Sequence, residues 1–206
     1  MPGGLAPNDY DYFHELIVHE EIARLGTPGF FDGIGGGLII GLPPVLLHAS
    51  PELKARVVPD CLYGRKQICL AITEPFAGSD VQGLRCEGVK SQCGKFWIVN
   101  GVKKWITNGT ACDWFTTAVK TGNAQTLLLI ERGEGVSTKR ITTSYSPSAG
   151  TAYVEFDNVK VPVENMLGQE NHGFKAIMHN FNHERWYICV YLVRMARLVI
   201  EVCTLP

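Results

Sequence analysis

The chain of 206 residues carries no surplus of either charge, with 19 Lys and Arg against 20 Asp and Glu and a formal net charge of -1. Attraction to a phosphate backbone needs a clustered basic surface, so nucleic acid is not an expected partner. Long apolar runs are also missing from this reading, because Trp186 to Val193, the most hydrophobic stretch, is cut off by Arg185 and Arg194. A bilayer asks for ~20 predominantly apolar residues in a row, and no membrane span is expected. The 7 cysteines, at positions 61, 69, 86, 93, 112, 189 and 203, contain no C-x-x-C pair. They specify neither a disulfide framework nor a zinc ribbon, and a reduced intracellular compartment is the simplest reading. Early basic residues are absent too: the first is Arg24, preceded by Asp9, Asp11, Glu15, Glu20 and Glu21. Neither a secretory nor a mitochondrial presequence fits that pattern, and Thr204-Leu205-Pro206 is no peroxisomal address. Cytoplasm, mitochondrion and peroxisome stay open.

What is present is apolar mass, 46% of the residues, punctuated by 22 glycines. The grammar divides the chain into residues 1–66, 67–162 and 163–206. In the first part, Asn8-Asp9 can cap a helix whose Phe13, Leu16, Ile17 and Ala23 roughly keep helical spacing, until Gly26-Thr-Pro28 stops it. A flexible Gly33-Ile-Gly-Gly-Gly37 follows, then an apolar stretch from Leu38 to His48. Ser50-Pro51-Glu52 reads as a cap with Pro at the first helical position, predicting a short helix from about Pro51 to Val58.

From Gln67 to Val161, short β-branched and aromatic runs alternate with Gly, Asn and Pro, as in an antiparallel all-β unit. Phe96 to Val99, Asn100-Gly101 and Val102 to Trp105 read as a hairpin, since Asn-Gly suits a type I′ turn. Further strands are expected at 114–119, 126–130, 141–144 and 152–156, and together they suggest a barrel or sandwich. The third part is helical from near Gly173. At about 100° per residue, Arg194, Arg197 and Glu201 share one face, read as a solvated stripe, whereas Arg185 lies nearly opposite and should point at protein or a ligand. The apolar Trp186, Tyr187, Tyr191, Leu192 and Leu198 want partner helices, as if a bundle were cut short.

Four segments invite chemical readings. Gly33 to Gly37 could suggest a dinucleotide loop, but no strand comes before it and Pro43-Pro44 interrupts the helix that should follow; packing glycines are the plainer reading. His179 and His183 are spaced i, i+4 and could hold a metal beside Glu184. Asn180 stands where a zincin has its Glu, however, and no third ligand is evident, so metal is not expected. Ile72-Thr-Glu-Pro-Phe-Ala-Gly-Ser-Asp80 ends a strand in a turn rich in hydroxyls and free N–H groups, suited to an anionic or heteroaromatic ligand or simply to a tight turn. Trp105-Ile-Thr-Asn-Gly109 sets an indole and a hydroxyl two residues apart, which suits a planar cofactor or an ordinary core.

Both segments, followed by Val159-Lys-Val-Pro162, Leu167-Gly168 and Phe181-Asn-His-Glu-Arg185, make a more specific combination. From about Ile17 to Val202 the sequence resembles the acyl-CoA dehydrogenase family, most closely its fungal members. The resemblance implies an α+β multidomain fold: part of an N-terminal helical domain over 1–66, a middle antiparallel β-barrel over 67–162, and the start of a C-terminal helical bundle over 163–206. It implies FAD as cofactor, met by Leu70, Ile72, Thr73, Gly78, Ser79, Trp105, Ile106 and Thr107. Leu70 departs from the aromatic residue of many relatives. Trp105 would pack on a flavin face and Thr107 would hydrogen-bond near N5. Glu184 matches the base of isovaleryl-type and long-chain enzymes, although many relatives use a later carboxylate. Ser79, Asn182 and Arg185 match positions that meet acyl-CoA, and a relative's pocket hydroxyl aligns with Ala149, leaving only Ser148 nearby.

The implied reaction is α,β-dehydrogenation of an acyl-CoA thioester, with an electron acceptor that no motif names and a homo-oligomeric full-length form. Two alternatives stand beside it: an oxidase of the same superfamily, and a flavin-free interaction module or fragment that is not an enzyme.

Overall fold

The computed structural model describes residues 4, 6–144 and 146–204. Its first helix, α1 (Tyr12–Ala23), is capped by Asp11, whose Oδ1 accepts the N–H groups of Phe13 and His14 at 3.0 and 3.2 Å. Asn8 and Asp9 therefore do not cap it; they lie in a preceding 3-10 turn, and only Asp11 is close enough to meet the first free amides. Phe13 and Ile17 are exposed, and α1 buries His19 and Ala23 instead.

The glycine-rich segment is not a flexible loop. It closes α2 (Pro28–Gly35) and opens a π-helical turn, Gly36–Gly41, that leads to α3 (Pro43–His48). The reason is close approach to the sheet: a Cβ on Gly36 would sit 2.8 Å from Thr107 Cγ2, and one on Gly41 would sit 2.9 Å from the carbonyl carbon of Cys69. Counted as one piece, Pro28–His48 is long and apolar enough to cross a membrane by length and composition, which corrects the expectation that no such stretch exists. Its inner side is tied to the rest of the fold, with Thr116 Oγ1 donating to Gly41 O at 2.8 Å and Asn180 Nδ2 donating to Ile40 O at 3.1 Å.

Ser50 caps α4 (Pro51–Leu62) by accepting the Leu53 N–H at 3.2 Å. The helix runs past Val58 because Leu53, Val57 and Cys61 recur every four residues on the buried face.

The strands are β1 (Ile68–Ala71), β2 (Glu87–Lys90), β3 (Phe96–Ile106), β4 (Trp114–Thr121), β5 (Ala124–Glu131), β6 (Val136–Arg140), β7 (Ala152–Pro162) and β8 (Met166–Leu167). They form one sheet in the order β6-β7-β3-β2-β4-β5-β8, with β1 paired in parallel to β4. The expected barrel is not found, because β6 and β8 end the path without pairing to each other, and β8 has only two residues with which to do so.

The expected hairpin at Asn100-Gly101 is not found either, since β3 continues through it, laddered to β2 up to Asn100 and to β7 on both sides of a register shift between Val99 and Gly101. Gly101 serves another need: at φ 145° a Cβ there would lie 2.6 Å from Cys86 Cα. No strand forms over 141–144. The ladder of β6 ends at Arg140 opposite Ala152, where β7 itself begins, so the residues beyond have no partner strand.

Two cores flank the central strands. Leu127 and Leu129 face the helices with Leu42, Val57 and Ile177, while Leu128 and Ile130 face the other way with Phe115, Val154 and Phe156. The alternation of side chains along β5 feeds both at once, each fully buried Leu contributing ~1.5–3 kcal/mol.

The last element, α5 (Gly173–Thr204), lays Tyr187 and Tyr191 against Phe31 of α2 and His19 of α1. Arg194, seven residues beyond Tyr187, shares that face and is only 8% exposed, its Nη1 3.0 Å from Glu201 Oε1. Arg185 falls on the opposite face and is exposed, with Nη1 donating to Asn182 Oδ1 at 3.2 Å. The expected solvated stripe therefore fails at Arg194, because the face that packs carries the tyrosines, while Arg197 and Glu201 of the same stripe stay exposed. Leu192, Val193, Val199, Ile200 and Val202 are exposed; Leu205 and Pro206, part of the C-terminal tripeptide considered above, lie outside the described residues.

Gly41→Ala should lower stability by about 1–3 kcal/mol through overpacking, whereas Gly133→Ala, with nothing within 4 Å, should leave it nearly unchanged. Urea unfolding midpoints of the two variants check this.

Candidate functional site

A cavity of about 160 Å³ opens where the π-helical turn, the ends of β1 and β3, and α5 meet; it is lined by Gly36, Ile40, Leu70, Ile72, Thr73, Trp105, Ile106, Thr107, Phe181 and Glu184. Each wall has a local cause.

The end of β3 is irregular: the register against β7 shifts between Lys103 and Ile106, and Trp105 has a positive φ of 65°. Such a conformation costs a non-glycine residue of order 1–3 kcal/mol. Its effect is to turn the indole out of the sheet to the cavity rim, 52% exposed, with the Lys104 ammonium 4.7 Å from the ring centre.

The turn that follows is held from three sides. Asn108 donates its backbone N–H to Ala149 O and its Nδ2 to Gly33 O, both at 2.8 Å, and Arg132 reaches Gly109 O at 2.8 Å and Cys112 O at 2.6 Å. Thr107 is therefore fixed in place, yet its hydroxyl makes no hydrogen bond among the described residues.

The wall from β1 is tied to β3. Lys104 N–H donates to Thr73 O at 2.9 Å, and the buried Lys103 ammonium donates to Ile72 O at 3.0 Å and to Glu74 Oε1 at 2.8 Å. Beyond Glu74 the chain turns through a bridge with Ala77, and Gly78 and Ser79 stand exposed on that turn, outside the cavity lining.

Glu184 closes the cavity from α5. Burial pushes its carboxyl pKa up, and the nearby Arg185 opposes this as the smaller effect. Its Oε2 is buried without a hydrogen-bond partner, an expensive arrangement for a polar atom unless something else occupies the cavity.

The remaining residues singled out by sequence lie elsewhere. Asn182 lines a second cavity of about 300 Å³ with Tyr12, His179, His183 and Trp186, and Arg185 lines neither. Ser148 pairs with Ser146 at 2.8 Å, and Ala149 is buried under Asn108. His183 Nε2 meets Glu15 Oε1 at 2.8 Å, whereas His179 faces His48 with ring centres 6.1 Å apart. Among the described residues no group of three or more His, Cys, Asp or Glu could hold a metal. Sequence reasoning missed Gly36, Ile40 and Phe181 as wall residues. Only the unusual density of glycines hinted at a tight contact there.

Residues 69–159 match the family model described as acyl-CoA dehydrogenase, middle domain. Over 96% of its length the chain is 44% identical to acyl-CoA dehydrogenase apdG of Emericella nidulans, of which it covers 47%. Its fold superposes on an acyl-CoA dehydrogenase from Bacillus anthracis solved in complex with FAD, with TM-score 0.87 and 28% identity over 93% of this chain and 33% of that one. A glutaryl-coenzyme A dehydrogenase solved with glutaryl-CoA gives TM-score 0.83 and 28% identity over 90% of this chain and 48% of that one. The chain spans about half the length of the curated relative it matches. By this similarity, and by the fold that carries it, the chain belongs to the acyl-CoA dehydrogenase family.

Proposed function

We propose that this chain carries the flavin site and the proton-accepting carboxylate of an FAD-dependent enzyme that α,β-dehydrogenates acyl-CoA thioesters. The observation that carries the reading is Glu184 Oε2, buried without a partner in a cavity that Thr73 and Thr107 also line. The cavity offers what an isoalloxazine needs: the flat indole of Trp105 for one face, the small Gly36 opposite Thr107, and the polar groups of Thr73 and Thr107. FAD, when bound, supplies the acceptor for the substrate's β-hydride.

The chain's own residues do the rest. Glu184 takes the α-proton, and its desolvation makes it a stronger base than a solvated carboxylate once ionised. Leu70, Ile72 and Ile106 keep water from the reacting centre, and Thr107 holds the ring by its hydroxyl. Gly78 and Ser79, on the exposed turn, meet the phosphates, with Ser79 also facing substrate; Asn182 and Arg185 hold the CoA side from the outer part of α5. The division into a partial N-terminal helical domain, a middle β domain and the first helix of a C-terminal bundle belongs to the same proposal, as do an electron-transfer acceptor, a homo-oligomeric full-length protein and a reduced intracellular compartment. A second reading, a flavin-free interaction module, is favoured by one observation, the exposed apolar side chains along α5.

The purified chain should acquire a visible flavin spectrum on adding FAD, and anaerobic acyl-CoA should bleach it. Glu184→Gln should keep the flavin and lose the bleaching; bleaching unchanged in the variant would remove Glu184 as base, and no bound flavin in the wild type would favour the interaction module.

Burial also makes Glu184 a pH-dependent liability. Because its folded pKa is raised, the folded state holds the proton more tightly than the unfolded state. Stability falls as pH climbs from the ordinary carboxylate range through the raised value, and levels off above it. Glu184→Gln should therefore be more stable than wild type in neutral buffer, with the gain vanishing in acid; an equal gain at both would contradict the burial argument.

A further inference from the structure

Lys103 and Glu74 form an ion pair of 2.8 Å, with side chains 0% and 1% exposed. Replacing such a pair by apolar groups is often neutral or stabilising, so cohesion alone is a weak reason for having it. Its placement suggests another. Glu74 Oε2 accepts the Arg85 N–H at 2.6 Å and Oε1 accepts the Cys86 N–H at 3.0 Å, which anchors the carboxylate to the chain entering β2. The ammonium, held by that carboxylate, donates to Ile72 O at 3.0 Å.

The peptide joining Ile72 to Thr73 is trans, so its N–H points the opposite way from the carbonyl that Lys103 holds. Ile72 and Thr73 both line the cavity. The Thr73 carbonyl is occupied by Lys104 N–H, and the Thr73 N–H makes no hydrogen bond among the described residues. An ammonium on the carbonyl end of a peptide polarises it and strengthens its N–H as a donor.

We infer that Lys103, held by Glu74, is a positioning residue that fixes and polarises the Ile72–Thr73 peptide, so that the Thr73 N–H donates to an acceptor atom of the heteroaromatic ligand in this cavity. The inference rests on the flavin reading proposed above and deepens it: Lys103 touches neither substrate nor cofactor and acts through the peptide.

The test compares wild type, Lys103→Arg and the double variant Lys103→Met with Glu74→Gln, which removes both charges together. FAD affinity is read by quenching of flavin fluorescence, the reduction potential of the bound flavin by equilibration with a dye, and stability by urea unfolding. The double variant should fold but bind FAD roughly tenfold or more weakly, as expected for loss of a charge-assisted hydrogen bond, with a lower potential. Lys103→Arg should keep most of both. A folded double variant with wild-type affinity and potential overturns the inference. Should the double variant not fold, the wild type still decides, because on adding FAD the Thr73 amide proton should shift downfield in its NMR spectrum. An unmoved Thr73 signal with FAD bound overturns the inference while leaving the flavin reading intact, and a wild type that binds no FAD overturns both.

Discussion

The contact between the Gly36–Gly41 turn and the sheet is the constraint on which the site depends. At Gly41 the helical backbone runs so near Cys69 that no side chain fits between them, and at Gly36 it runs equally near Thr107. Glycine weakens a helix by ~1 kcal/mol per residue relative to alanine, and the π-helical turn sacrifices regular geometry as well. Burial of Leu42 and Val45 against Leu53, Val57 and Ile68 offsets that cost. With the turn seated, α5 can lie across it, Asn180 donating to Ile40 O, and Glu184, four residues on, reaches the cavity.

The polar interior follows from the same closeness. Backbone groups that leave regular ladders near the site have to be met by buried side chains: Asn108 meets Gly33 and Thr116 meets Gly41. Glu184 Oε2, buried without a partner, shares the cavity with Thr73 and Thr107. Trp105 and Asn108, both with positive φ, bracket Thr107.

Much of this was legible beforehand where the cause is local. Ser50-Pro51 announced α4 because cap and first turn are one short-range interaction. The runs at 114–119 and 126–130 announced β4 and β5, since strands buried on both sides are rich in β-branched, aromatic and aliphatic residues. Leu70, Ile72, Thr73, Trp105, Ile106, Thr107 and Glu184, gathered through a family resemblance, do line one cavity. Asn100-Gly101 misled because its turn preference is only local, and pairing on both sides of β3 outweighs it. Arg194 misled because helical periodicity shows which residues share a face but not which face will pack.

The Ser50 cap of α4 and the strands β4 and β5 were therefore determined by sequence alone, because each depends on residues a few positions apart. The open edges of the sheet, the outward turn of Trp105, the burial of Arg194 and the Lys103–Glu74 pair behind Thr73 were decided only by tertiary structure. Each of these depends on distances between segments far apart in the chain. Propensity and periodicity carry no information about such distances until the hydrophobic faces have met.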